Sequence, residues 1–254
     1  MEIIHAIILG IVEGITEFLP ISSTGHLILV SHLLNIKQTN FVITFEIAIQ
    51  LGAILAVVFL YKDRLLKNFL LWKKIIVAFI PTGILGLLFY PYLKHVFHPV
   101  VVSIALIGWG IVFIVIELIL KKKTFKINKP EEISYKKAII MGIFQSFAMI
   151  PGTSRSGATI IGGLILGLSR TASAEFSFLL AIPTMCAATG LKVFKSLSFI
   201  TLYNFIVILV GFFTSFVFAL LSIKWLLNFI KTHTFIPFGI YRIILGIIFL
   251  LFFI

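Results

Sequence analysis

Two short stretches of this chain hold residues suited to acid–base and anion chemistry, in otherwise apolar surroundings. In the first, Glu13 and Glu17 lie four residues apart, on one face of any helix that carries them, and Ser22-Ser23-Thr24-Gly25-His26 follows. Two carboxylates close together in a low dielectric repel, so a proton, a cation or an arginine must accompany them. The bland alternative is a carboxyl pair facing a solvated cavity without a ligand. A lone histidine is more often structural, but His26 ends a polar turn that two acids precede, which favours a functional reading. The second stretch is Pro151-Gly152-Thr153-Ser154-Arg155-Ser156-Gly157-Ala158-Thr159. Backbone N–H groups at a helix start, hydroxyls and a guanidinium together suit phosphate oxygens. The planar fork of arginine engages two such oxygens at once, which lysine cannot do. A Ser/Thr-rich turn alone would say little. Arg155 in an apolar hairpin says much more, because ionisable groups inside a membrane are costly and usually functional.

Other polar residues carry less. Glu46 and Gln50 again lie four apart, and Glu175 opens an apolar run; they either line a cavity or satisfy the broken helices of the hairpins. Glu117 precedes Lys121 by four residues and reads as a structural pair. His5, His32, His95, His98 and His233 sit near interfaces. Gly10-xxx-Gly14 and Gly163-xxx-Gly167 read as close helix contacts.

The elements that must position these residues are membrane helices. Of 254 residues, 60% are hydrophobic and 12% charged, and the mean hydropathy is +1.18. A soluble domain is nearer half apolar and a quarter charged, so a water-soluble fold is excluded. The net charge of +12 arises from 9 acids against 21 bases, with most bases between apolar runs. That pattern reflects membrane orientation rather than nucleic-acid binding. The single cysteine, Cys186, excludes a disulfide framework and any cysteine-based metal site. The first apolar run follows Met1-Glu2 with no basic residue before it, unlike a signal peptide.

A spanning helix needs about 20 apolar residues. Six segments qualify: 41–60, 75–93, 98–120, 174–191, 200–222 and 236–254. Residues 3–36 and 137–168 instead read as apolar run, polar turn, apolar run. The halves of the second are too short to span, which suits a re-entrant hairpin; a pair of full spans is the alternative. Irregular backbone at membrane depth is tolerated only inside protein or beside a water-filled cavity. The hairpins also match each other, Gly10-Ile11-Val12-Glu13 with Gly142-Ile143-Phe144-Gln145 and Gly25 with Gly157. Three spans follow each hairpin, so the second copy must be upside down, and inverted repeats place their shared site near the midplane. The expected fold is therefore an all-α polytopic membrane protein with two inverted-topology repeats, each a re-entrant helical hairpin plus three transmembrane helices. A single membrane domain, 1–254, comprises repeat 1 (about 1–120), a cytoplasmic loop (about 121–136) and repeat 2 (about 137–254). With 62–74 and 121–137 inside, fifteen Lys/Arg lie on the cytoplasmic side against Lys37, Lys94, Lys192 and Lys195 outside. Arg155 and Arg242 remain in membrane segments.

Glu13-Gly14-Ile15-Thr16-Glu17-Phe18-Leu19-Pro20-Ile21-Ser22-Ser23-Thr24-Gly25-His26 and Pro151-Gly152-Thr153-Ser154-Arg155-Ser156 resemble the two signature motifs of the undecaprenyl-pyrophosphate phosphatase family, the bacitracin-resistance proteins. Phe45-Glu46-Ile47-Ala48-Ile49-Gln50-Leu51-Gly52 is similar to that family too, and the resemblance covers essentially the whole chain. It implies a hydrolase of the bacterial plasma (inner) membrane that removes the terminal phosphate of undecaprenyl diphosphate and recycles the lipid carrier of peptidoglycan synthesis. It also implies a divalent cation, Mg²⁺ or Ca²⁺, and a site open to the outer face. Composition and spacing alone equally fit a lipid transporter or flippase. The hydroxyl–histidine–carboxylate set opposite an arginine discriminates, because transport needs no nucleophile.

On this reading Ser23 is the nucleophile and His26, three residues on, the nearest candidate base. Glu17 orients His26 or shares a metal with Glu13. Arg155 holds the phosphate with hydroxyl and backbone donors from Ser22, Thr24, Gly152, Thr153, Ser154 and Ser156. Glu46 and Gln50 stand as cavity-lining candidates. A phosphohistidine at His26 and direct attack by water remain open, as does the oligomeric state, a homodimer included. The partners are the lipid diphosphate and membrane lipids, not nucleic acid.

The charge distribution generates a first test. Cysteines placed at Lys67 and Lys126 should resist an impermeant thiol reagent in intact cells, whereas one beside Lys195 should react; the reverse pattern would overturn the orientation.

Overall fold

The computed structural model describes residues 1–93, 98–121, 123–196 and 201–253, with backbone alone for 90–93, 190–196 and 252–253. Lys94, His95 and the side chains of Lys192 and Lys195, part of the expected outer charge, lie outside the described residues. The described residues form helices α1 (Ile3–Thr16), α2 (Ser23–Leu33), α3 (Asn40–Lys67), α4 (Phe69–Leu93), α5 (Pro99–Leu120), α6 (Tyr135–Ser146), α7 (Arg155–Ile165), α8 (Arg170–Ser196), α9 (Leu202–Phe229) and α10 (Ile236–Phe253). Among them there is no strand, only an isolated bridge between Ile127 and Leu168.

Five helices are long and apolar enough to cross a membrane: Asn40–Lys67, Phe69–Phe89, Pro99–Leu120, Arg170–Thr189 and Leu202–Phe229. The chain is thus an all-helical, multi-pass membrane protein. The sixth expected span forms α10, whose 18 residues make it shorter than those five. Four helices are shorter still: α1 and α2 have 14 and 11 residues, α6 and α7 have 12 and 11. Both polar stretches found in the sequence straddle the turns between these short helices and run into the first turn of α2 and of α7. The structure therefore has two helical hairpins, α1–α2 and α6–α7, where the sequence called for them.

The turns are built alike. Ser22 and Ser154 are the residues before α2 and α7, with φ of 73° and 72°, and each side chain accepts a hydrogen bond from the N–H three residues on, that of Gly25 or Gly157. A non-glycine residue with positive φ is strained, at a cost on the order of 1–2 kcal/mol. The strain persists because the cap bond and the packing around it hold the turn. Gly152 takes φ +91°, and a Cβ there would strike the carbonyl of Val102, so only glycine fits.

Close helix packing rests on small residues. Gly10 and Gly14 face α9, where added Cβ atoms would lie 2.7 Å from the Gly211 carbonyl and 2.5 Å from that of Ser215. Gly142 of α6 meets α4 at the Ala78 carbonyl in the same way. Gly163 packs on Ser173 as expected, but a Cβ at Gly167 would meet nothing within 4 Å, and its carbonyl accepts from Lys126 and Ile127 of the preceding loop. Its φ of +88° marks it as a helix terminator instead. The expected Glu117–Lys121 pair also gives way. Glu117 accepts from Arg170 (2.8 and 2.5 Å) and from the Phe235 N–H (2.9 Å), which ties α5, α8 and the start of α10 together. Nearby, Arg64 bridges Glu131 (2.7 Å) and Glu175 (3.2 Å), and Tyr61 donates to Glu175 (3.3 Å). Glu175 therefore belongs to a charged network under the second hairpin.

The α5–α10 contact yields a prediction. Gly110 and Gly239 oppose each other so closely that a Cβ on either would lie 2.7 Å from the other's carbonyl. Overpacking of this kind typically costs about 1–3 kcal/mol. Gly110→Val should lower the thermal midpoint in detergent clearly, whereas Gly108→Val, with nothing within 4 Å of its Cβ, should not.

Candidate active site

The two hairpin tips meet. Ser23, the first residue of α2, donates from Oγ to Glu17 Oε2 at 2.6 Å. Arg155, the first residue of α7, donates from Nη2 to the other Glu17 oxygen at 3.1 Å and from Nη1 to the Ser177 carbonyl at 3.0 Å. Its guanidinium also lies 5.7 Å from the Phe18 ring centroid. Glu17 and Arg155 are both buried, 6% and 9% exposed. A carboxylate taken out of water needs such a partner, and removing one member of a buried pair costs about 3–5 kcal/mol. Ser156 Oγ donates to the Leu19 carbonyl across the hairpins at 3.1 Å, so Ser154, 3.1 Å from Ser156, must be the donor between the two. Their hydroxyl hydrogens are thus spent on joining the tips.

His26 stands apart from Ser23 in this network. Its Nδ1 is 2.7 Å from the Ser22 carbonyl, and its Nε2 is 2.6 Å from Tyr241 Oη. Glu17 bonds Ser23 and Arg155 rather than His26. The carboxylate next to the serine is therefore that of Glu17, a pairing that sequence distance concealed because the chain turns back between residues 17 and 23.

Several buried polar atoms here have no protein partner: both oxygens of Glu13, Thr153 Oγ1 and Arg155 Nε. Glu13 has Glu17, Glu46 and Arg155 as its charged neighbours. Thr24 is half-buried. Glu46 sits at the α2–α3 junction, where Oε1 accepts from Ser31 (3.3 Å) and Gln38 (3.2 Å), and Gln50 is half-buried one turn on. Carboxylates on one hairpin, an arginine on the other and two helix N-termini between them suit an anion accompanied by a cation.

The residue that sequence reasoning missed is Arg242. It is fully buried in α10, and its guanidinium reaches the carbonyls of Pro20 (3.1 Å) in one tip and of Gly152 (2.8 Å) and Thr153 (2.9 Å) in the other, with Ala105 of α5 at 3.4 Å. The signal was available: a lone arginine within an apolar span.

The chain is thus a polytopic helical membrane protein in which a serine, a carboxylate and an arginine meet between two short helical hairpins. Within that class, residues 6–248 match the family model described as Bacitracin resistance protein BacA, and the chain belongs to that family. It is similar to the undecaprenyl-diphosphatases of Persephonella marina (60% identical over 252 residues, 99% of both chains) and Wolinella succinogenes (59% over 250 residues, 98% of both). The undecaprenyl-diphosphatase of Aquifex aeolicus is 51% identical over 251 residues, 98% of both.

Arg242 offers the test of this geometry. In Arg242→Met the tip carbonyls lose their donor, and each unpaired buried group costs about 1–3 kcal/mol. The variant should melt well below the parent and lose activity; a normal melting profile would show that the tips hold without it.

Proposed function

We propose that this chain is an undecaprenyl-diphosphate phosphatase. It hydrolyses the terminal phosphate of undecaprenyl diphosphate to undecaprenyl phosphate and inorganic phosphate, recycling the lipid carrier of peptidoglycan synthesis and conferring bacitracin resistance. The observation that carries the reading is the Ser23–Glu17 contact, held by Arg155 of the opposite hairpin, in a chain matched to undecaprenyl-diphosphatases over nearly its full length.

Ser23 Oγ attacks the terminal phosphorus while its proton passes to Glu17. The bond from that phosphorus to the bridging oxygen breaks, undecaprenyl phosphate leaves, and a phosphoserine remains. Water then attacks the phosphorus of the phosphoserine, the bond from phosphorus to Ser23 Oγ breaks, Glu17 returns its proton to Ser23 Oγ, and inorganic phosphate leaves with the water's oxygen and protons. Phosphoryl transfer needs mainly positioning and stabilisation of spreading negative charge. Arg155, Thr24, Thr153 and the N–H groups opening α2 and α7 supply that, with Gly152 keeping the backbone close. Ser22, Ser154 and Ser156 hold the turns in shape around the phosphate.

A divalent cation, Mg²⁺ or Ca²⁺, belongs to this proposal. Among the described residues no three His, Cys, Asp or Glu side chains gather into a metal site. The unpartnered oxygens of Glu13, with Glu17, nonetheless fit an ion that takes one or two carboxylates and completes its shell with phosphate oxygens. Bound there, the ion would neutralise diphosphate charge. The protein lies in the bacterial plasma membrane with the site open to the outer face. The two halves, 1–120 and 137–254, are inverted copies: the matched caps at Ser22 and Ser154 support this, as does the packing of α1 on α9 beside that of α6 on α4.

Purified protein should release phosphate from a polyprenyl diphosphate, and a chelator should stop it. No release with any divalent ion would sink the enzyme reading. Glu17→Gln should lose about 10²–10⁴-fold in turnover. Arg155→Lys keeps the charge but loses the fork, so its loss should fall mainly in kcat and approach that of Arg155→Ala; an active Arg155→Lys enzyme would refute the clamp.

A further inference from the structure

His26 is buried and does not reach the serine, yet both of its ring nitrogens are engaged. A carbonyl oxygen can only accept, so the Nδ1 that faces the Ser22 carbonyl at 2.7 Å carries the hydrogen. Nε2 is then the lone-pair nitrogen, and Tyr241 donates its hydroxyl hydrogen to it across 2.6 Å. The two ring planes are nearly parallel, 2° apart, so the pair is held rigidly. Tyr241 itself is 43% exposed. It precedes Arg242, whose guanidinium binds both hairpin tips, and so its helical turn lies at the depth of the reacting groups. His26 is thus closed off on the Nδ1 side by backbone, and any proton it exchanges at Nε2 passes through the tyrosine oxygen.

We propose that Tyr241 is the relay partner of His26, through which the histidine hands a proton to the phosphate oxygen that leaves when the bond to the bridging oxygen breaks, apart from the Ser23–Glu17 transfer; this rests on the phosphatase reading above. When His26 is protonated, Nε2–H donates to Tyr241 Oη, and the phenolic hydrogen turns to an oxygen of water or of the bound phosphate. In the transfer, the Nε2–H bond breaks as a new O–H bond forms on Tyr241. The original phenolic O–H bond breaks as its proton moves to that outside oxygen. One proton leaves His26, and the tyrosine ends neutral, as it began. Uptake runs the same steps backward. The charged neighbour of the ring is Arg242 on α10, while Glu17 bonds Ser23 and Arg155 and Glu46 bonds Ser31 and Gln38. None of these carboxylates bonds the imidazole, which leaves the phenol as its side-chain partner.

Tyr241→Phe tests this, because it keeps the ring and removes the hydroxyl alone. Positioned acid–base groups are typically worth about 10²–10⁴-fold, and a relay partner should account for at least about tenfold of kcat. KM and the melting temperature should stay unchanged. A second protein with a fluorinated tyrosine at position 241 keeps ring and hydroxyl but makes the hydroxyl more acidic, and its kcat-against-pH profile should move relative to the parent. Parental kcat in Tyr241→Phe would overturn the relay. So would a loss of kcat in that variant accompanied by a pH profile that fluorination leaves in place, since the hydroxyl would then only be propping the ring. Failure of the phosphatase reading looks different: the unaltered protein itself would release no phosphate from a polyprenyl diphosphate.

Discussion

Backbone that leaves a helix within hydrocarbon must find hydrogen-bond partners in the protein, and in this chain Arg242 supplies them for both hairpin tips at once. Its guanidinium bonds the carbonyls of Pro20, Gly152 and Thr153, which neither hairpin's own helices satisfy. A buried cation without a carboxylate is normally costly. Here several carbonyl dipoles replace one counter-charge, and they are the dipoles that the broken helices leave over. The same bonds fix the separation of the two tips and hence of Ser23 and Arg155. The contacts that satisfy the backbone are the ones that set the spacing of the serine and the arginine.

The hairpins are alike in backbone and unlike in chemistry. Ser23 in the first corresponds to Arg155 in the second, and Glu13 to Gln145, by the offset that aligns Gly10 with Gly142 and Gly25 with Gly157. Gln145 donates to Thr82 (3.0 Å) and Thr184 (2.9 Å), so that position has become packing. Glu13 keeps its carboxylate and no hydrogen-bond partner. The repeated turn thus builds two helix N-termini facing one space, while the differences between the hairpins put acids and a serine on one side and a guanidinium on the other. A site with both signs of charge needs this asymmetry, because two acidic hairpins or two basic ones would repel across a low dielectric.

Away from the site, charged residues close the molecule. Glu117, Arg170 and the Phe235 N–H join three helices, and Arg64 with Glu131 and Glu175 anchors the loop before α6. Lys137 adds a bond to the Leu166 carbonyl at 2.8 Å, at the end of α7. These contacts brace the second hairpin from below, so that Arg155 is held by its own helix as well as by Glu17.

The sequence by itself determined the class of fold, the two hairpins and most of the polar residues that meet between them. Those features depend on local hydrophobicity, on proline and glycine at the turns, and on the rarity of charge in an apolar segment. It did not determine which side chains touch. Sequence spacing points to His26 as the base for Ser23, three residues away, and pairs Glu117 with Lys121, four away. Tertiary packing gave those partners instead to Glu17, Tyr241 and Arg170, from residues between 6 and 215 positions distant. Arg242 was visible as an anomaly but had no assignable role, since its acceptors are backbone carbonyls and every residue has one. Hydropathy and motif are properties of neighbouring residues. A hydrogen bond in a buried site is decided by which helices cross, and only the folded chain brings those carbonyls and hydroxyls to one place.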